Sequence, residues 1–159
     1  MSNINLEWSS SFATGIDLID RQHQLLFEFF HELGHLIADK RDADFEIILQ
    51  GVIQYATNVH LYEDDLLRRS GYPFWAKHQD SHETFRQQLD HYFVRLEQGE
   101  DALRLARSLR TDVGNWALEH IRKEDQHYAQ IVVKSLRRGM LDKVMDKVRS
   151  ITPKLKTQK

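Results

Sequence analysis

Cysteine is missing from this chain, and with it go disulfides, iron–sulfur clusters and thiolate zinc sites. Imidazole and carboxylate are then the side chains left for metal chemistry. Proline is nearly missing too: Pro73 and Pro153 are the only two, and both fall where helical periodicity lapses. No apolar run approaches the roughly 18 residues of a membrane span. The opening MSNINLEW lacks the basic and apolar blocks of a signal peptide, so a cytoplasmic protein is the default expectation. Sustained period-two alternation, the mark of a half-exposed sheet, is also lacking.

What is there is ordinary except in one respect. A length of 159 residues suits one domain with a real core, and 41% hydrophobic and 29% charged residues argue against disorder. Histidine is the exception: nine of them, in a chain whose metal ligands can only be imidazole and carboxylate. The net charge of −2 hides an asymmetry, because Val133 to Lys159 holds nine Lys/Arg against two Asp, a tail of +7 on a body of −9.

Four amphipathic stretches emerge, from Asp17 or Asp20 (either could cap) to Ala38, Asp44 to Arg69, Phe74 to Leu96, and Asp101 to Leu136. At 100° per residue, Phe27, Phe30, Gly34 and Ile37 fall within about 40° of His23, and Leu49, Ile53, Ala56, Asp64 and Leu67 within about 40° of His60. His82, Phe85, Leu89, Tyr92 and Leu96 cluster around His78, while Leu109, Val113 and Trp116 align on His120. The turns DKRDAD, SGYP and EQGED are short, so neighbouring helices run antiparallel. The expected fold is all-α: an up-down-up-down four-helix bundle with an N-terminal arm and room for a short C-terminal fifth helix. The division is a bundle over 1–132 and a basic tail over 133–159.

One histidine on an apolar face is usually a hydrogen-bonded core residue. Five such rings on four helices are different, since burying them unpaired costs several kcal/mol in total. Imidazole with carboxylate suits iron, manganese, copper or zinc, and disfavours calcium and magnesium. His23, His60, Asp64, His78, His82, His120 and Asp125 are too many ligands for one ion. With Asp64, Asp125 and a solvent-derived oxygen as bridges between two ions, three histidines complete one ion and two leave the other a position short.

The runs W…TGIDLIDRQH (Trp8 to His23), H…D (His60, Asp64), YP…HQDSH (Tyr72 to His82) and WALEHIRKED (Trp116 to Asp125) resemble the hemerythrin family in its bacterial single-domain form, over about residues 6 to 130. A member of that family is a standard example of the up-down bundle, so the topology is not an independent expectation. The resemblance implies two iron ions, one held by His78, His82 and His120 and the other by His23 and His60, with Asp64 and Asp125 bridging. It also implies reversible dioxygen binding without catalysis, serving storage, delivery or sensing. Leu26, Leu61, Trp116, Ile121 and Tyr128 match or resemble the positions that line the family's oxygen pocket. Two rival functions use the same centre: an enzyme reducing peroxide or nitric oxide, and a module signalling oxygen or redox state to a partner.

The pattern departs from the family at Asp64 and Leu61, and one matching pair, His120 and Asp125, conflicts with the geometry of a regular helix. Asp64 stands where the family has glutamate, one methylene longer; spacing favours Asp64 as the bridge, with Glu63, about 60° from His60 on the other side, as the alternative. His120 and Asp125 lie about 140° apart on a regular helix, where Glu124 would be better placed, unless a one-residue π bulge intervenes. Leu61 replaces a phenylalanine. The Glu-x-x-His runs at Glu28/His31, Glu32/His35 and Glu124/His127 mimic ferritin-like sites, but those of the first helix fall on its solvated side. His91 is expected at the surface.

Leu141, Val144, Met145, Val148 and Ile151 recur at helical spacing in the tail, which is expected to pack back on the acidic bundle. The sharper alternatives are a docking helix for a protein partner or an anionic membrane surface. Nucleic acid is not expected, because the body would repel phosphate.

Overall fold

The computed structural model describes residues 6–151. Four helices carry the bundle: α1 (Asp17–Asp39), α2 (Phe45–Arg69), α3 (Trp75–Glu97) and α4 (Ala102–His120). A π-helical turn (Ile121–Asp125) joins α4 to α5 (Gln126–Ile151), and no strand occurs among the described residues. Helix α1 packs on α2 and α4, and α3 packs on the same two, which closes the up-down-up-down ring.

Local chemistry sets the helix ends. The Asp20 carboxylate accepts from the Thr14 amide (2.6 Å), the Thr14 hydroxyl (2.8 Å) and the Gly15 amide (3.1 Å). Asp20 therefore fastens the turn before α1 from inside the helix, while Ile16 is the cap residue. Asp101 caps α4 through the Arg104 amide at 2.7 Å. Gly71 (φ 73°) and Gly99 (φ 84°) make the left-handed turns that reverse the chain after α2 and α3. The N-terminal arm lies over the bundle: Leu6 is buried against α4 at Gly114, where an added Cβ would meet Leu6 Cδ1 at 2.9 Å.

Two apolar cores result, with a polar layer between them. The larger gathers Phe27, Phe30, Leu33 and Leu36 of α1 with Phe45, Leu49, Phe85, Leu89, Leu105 and Leu109. A smaller one holds Ile19, Leu67, Tyr72, Tyr128, Ala129 and Val132. On α1 and α2, His23 and His60 fall between residues of the two clusters, Ile19 and Leu26 on one helix and Ala56 and Leu67 on the other.

The tail differs from expectation. It is not a separate short helix that folds back; α5 continues the α4 rod, and every residue from Lys134 to Ser150 is exposed. The reason is local: no proline falls between Val132 and Ser150, and the single glycine there, Gly139, stays helical, so nothing reverses the rod. Ile151 is the last described residue, and the tail beyond it lies outside the description.

Candidate metal centre

Each helix contributes to the polar layer at one level of the bundle. His23 comes from α1, His60 with Glu63 and Asp64 from α2, His78 and His82 from adjacent turns of α3, His120 from the last residue of α4, and Asp125 from the π turn. All eight side chains are buried. The π turn resolves the angular mismatch between His120 and Asp125: one extra residue swings Asp125 inward to 0% exposure, while the Glu124 side chain keeps 38%.

The rings converge through Nε2. Asp125 Oδ1 lies 2.9 Å from His78 Nε2 and 3.1 Å from His120 Nε2, and its Oδ2 lies 3.1 Å from His23 Nε2. His82 Nε2 and His120 Nε2 face each other at 3.0 Å. One set of potential ligands is thus His78, His82 and His120, and a second is His23, Glu63 and Asp125, each with its ligand atoms within 4.8 Å of one another. Asp125 offers one oxygen to each side. His60 stacks on His82 (centroids 3.7 Å apart, planes at 4°) and faces the same interior space as His23, but it belongs to neither convergent set.

The outer nitrogens are held from behind. Asp64 Oδ1 lies 2.8 Å from His82 Nδ1. Burial pushes the Asp64 carboxyl up, but hydrogen bonds from His78 and His82 outweigh it and hold the group at about 2, so it is an ionised acceptor at neutral pH. His82, lowered to about 4 chiefly by burial, is neutral there. Its one proton therefore sits on Nδ1, leaving the Nε2 lone pair aimed at the centre. His120 Nδ1 lies 3.2 Å from Ser81 Oγ, whose hydroxyl in turn donates to Glu124 at 3.2 Å.

Electrostatics shows what the layer lacks. Glu63 is 1% exposed, and burial together with the charge of Asp125 pushes its carboxyl up to about 7. Of this buried carboxylate pair Asp125 keeps the charge: burial opposes it, but the rings of His120, His23 and His78 hold it well below the usual range. Burial would likewise lower His78 and His120, yet Asp125 holds them up at about 9 and about 10. Glu63 Oε1 is buried with no hydrogen-bond partner, and Asp125 Oδ2, though 3.1 Å from His23 Nε2, makes no well-aligned hydrogen bond. Two such carboxylates need cations between them, and the imidazole–carboxylate donor set suits transition metals. The residues fit a pair of such ions.

Beside the rings lies a space of ≈ 20 Å³, walled by Leu26, Tyr55, Val59, Trp116, Ala117 and Ile121. It has room for about one water-sized molecule. Of the expected pocket residues, Leu26, Trp116 and Ile121 line it. Leu61 does not: one residue past His60 it has turned 100° away and is 57% exposed. Tyr128 lies on the other side of the layer, edge-on to His78 at 5.3 Å. Val59, Tyr55 and Ala117 went unread in the sequence, where they look like ordinary core. His31, His35 and His91 are exposed; the first two approach each other at 2.9 Å on the outside of α1.

Histidines from four helices and shared carboxylates in one dry layer define a bundle built around a metal pair. The family described as Hemerythrin HHE cation binding domain matches residues 14–132. The chain is 33% identical to a bacteriohemerythrin of Stenotrophomonas maltophilia over 127 residues, covering 80% of this chain and 81% of that protein. It is 29% identical to one of Pseudomonas aeruginosa over 143 residues, covering 90% and 89%. The hemerythrin of Phascolopsis gouldii is 33% identical over 86 residues, covering 54% and 68%. The chain belongs to the hemerythrin family, whose cofactor is a non-haem di-iron centre and whose members bind oxygen rather than act as enzymes. No helix among the described residues is long and apolar enough to cross a membrane.

Proposed function

We propose that this chain binds dioxygen reversibly at a non-haem di-iron centre, for storage, delivery or sensing of the gas, and does not turn it over. His78, His82 and His120 would hold one iron and His23 and His60 the other, with Asp125 shared between the two sides. When bound, the iron pair supplies the electrons that dioxygen takes up. Every other task falls to the chain. Three histidines on one side against two on the other leave one side a ligand short, and that side faces the small space under Leu26, Val59, Trp116 and Ile121. These apolar walls keep water from the centre, which slows loss of electrons to solvent.

The observation that carries this reading is the size and lining of that space. It suits a diatomic gas and excludes a larger organic substrate. The test is oxygen uptake by the reduced, iron-loaded protein. A visible band that forms under air, fades under argon and returns without added reductant supports a carrier. Steady consumption of reductant with oxygen, peroxide or nitric oxide would make it an enzyme instead.

Within this reading, sensing has one observation in its favour. Asp125 sits in the turn that leads directly into the exposed α5 tail, so a shift of the bridging carboxylate has a rigid path outward. Oxygen-dependent amide exchange protection in α5 would support a signalling role toward a protein partner; unchanged protection would leave storage or delivery.

A further inference from the structure

Two neighbouring carboxylates of α2 approach the same pair of rings from opposite edges. Glu63 lies on the Nε2 side: its Oε1 is 4.0 Å from His78 Nε2 and its Oε2 is 3.7 Å from His82 Nε2. Asp64 lies on the Nδ1 side: its Oδ1 is 2.8 Å from His82 Nδ1 and 3.8 Å from His78 Nδ1. The two nitrogens of an imidazole point in divergent directions, so a carboxylate bonded to one is turned away from whatever binds the other. All the convergent contacts with Asp125 run through Nε2, which places the metal pair on Glu63's side.

We propose that the carboxylate duties of α2 are exchanged by one residue in this chain: Glu63, three after His60, is the second bridging ligand, and Asp64, four after it, is a positioning residue for His82. Side-chain length fits the exchange. An aspartate four residues on stops at the Nδ1 edge of the rings, whereas a glutamate three residues on starts from the other flank and has one more methylene with which to reach the Nε2 side. Glu63 also forms a convergent set with His23 and Asp125, so its carboxylate is within reach of both halves of the centre. Its Oε1 is buried without a hydrogen-bond partner, as is Asp64 Oδ2, so what separates the two carboxylates is the ring edge each one faces. Asp64, by contrast, fixes the His82 tautomer and makes that ring a stronger donor.

The inference rests on the di-iron reading above, and one experiment separates the two. Iron per folded chain is measured after anaerobic loading and desalting for wild type, Glu63→Gln and Asp64→Asn, with far-UV circular dichroism to confirm folding and a potentiometric titration of whatever iron is retained. Wild type with fewer than two irons would remove the di-iron reading itself. Given two in wild type, Glu63→Gln should keep one or none. Asp64→Asn should keep two, with iron affinity lowered about 10- to 100-fold and the midpoint potential raised, because the negative charge behind His82 is gone. A merely structural Asp64 would leave the potential unmoved, and that result overturns its role. Iron loss in Asp64→Asn with retention in Glu63→Gln, or equal loss in both, overturns the exchange. If Glu63→Gln fails to fold, an iron-loaded crystal structure of the wild type decides: Glu63 on iron with Asp64 on His82 Nδ1 upholds the exchange, and Asp64 on iron refutes it.

Discussion

The larger apolar core and the polar layer beside it are held by different physics. Toward Leu33, Leu36, Phe45, Leu49, Leu105 and Leu109 the bundle is a dry apolar core that is stable on its own terms. In the layer beside it, eight buried polar side chains replace that packing, and several of their atoms have no protein partner. Burying such groups is unfavourable unless something joins them. The apolar core therefore supports the layer, and the layer needs iron. A hydrophobic bundle can stabilise itself without a ligand; one that spends a whole layer on imidazole and carboxylate has made its stability conditional on one.

Iron removal should have the largest effect on this contrast. If the metal binds the folded state alone and is present about a thousandfold above its dissociation constant, it contributes about 4 kcal/mol, or roughly 10 °C in melting temperature for a chain of this size. Differential scanning calorimetry of the iron-loaded and chelator-stripped protein measures it; equal melting temperatures would mean that the layer is satisfied without metal. Next comes the core itself. Leu109→Ala should cost about 2–5 kcal/mol by the same amount with and without iron, and chemical denaturation in both states shows whether the two regions are independent.

Smaller effects sharpen the comparison. Val59→Ala enlarges the space beside the rings and should speed loss of the oxygen-dependent band severalfold, whereas Leu61→Ala, on the exposed face, should change neither that lifetime nor stability beyond about 0.5 kcal/mol. Stopped-flow decay of the band under argon and under air compares the two. Smallest of all, ending the chain after Ser135 should leave iron content and melting temperature unchanged, since every residue from Leu136 to Ser150 is exposed.

Much of this was legible in the sequence because the ligands sit on regular helices, where angle follows from spacing. His23, His60, His78, His82 and His120 each centred an apolar face, and burial of all five follows from that. Even the irregularity was legible: an angle of about 140° between His120 and Asp125 cannot serve one centre, and the π turn supplies the missing rotation. Glu63 and Asp64 were harder. Both lie within about 60° of His60 on opposite flanks, and which flank faces the layer depends on how α2 is rotated against α3, a tertiary quantity that no helical wheel contains. Leu61 failed for the opposite reason: adjacency to a ligand suggested a pocket wall, and one helical step carried it outside. For the tail, periodicity announced a helix but not its course.

The central claim is that the polar layer holds a metal pair. Iron and protein concentrations, determined together on chain loaded anaerobically with ferrous iron and freed of excess, test it most directly. Two irons per chain is the result this account predicts; one iron, or none, would contradict it.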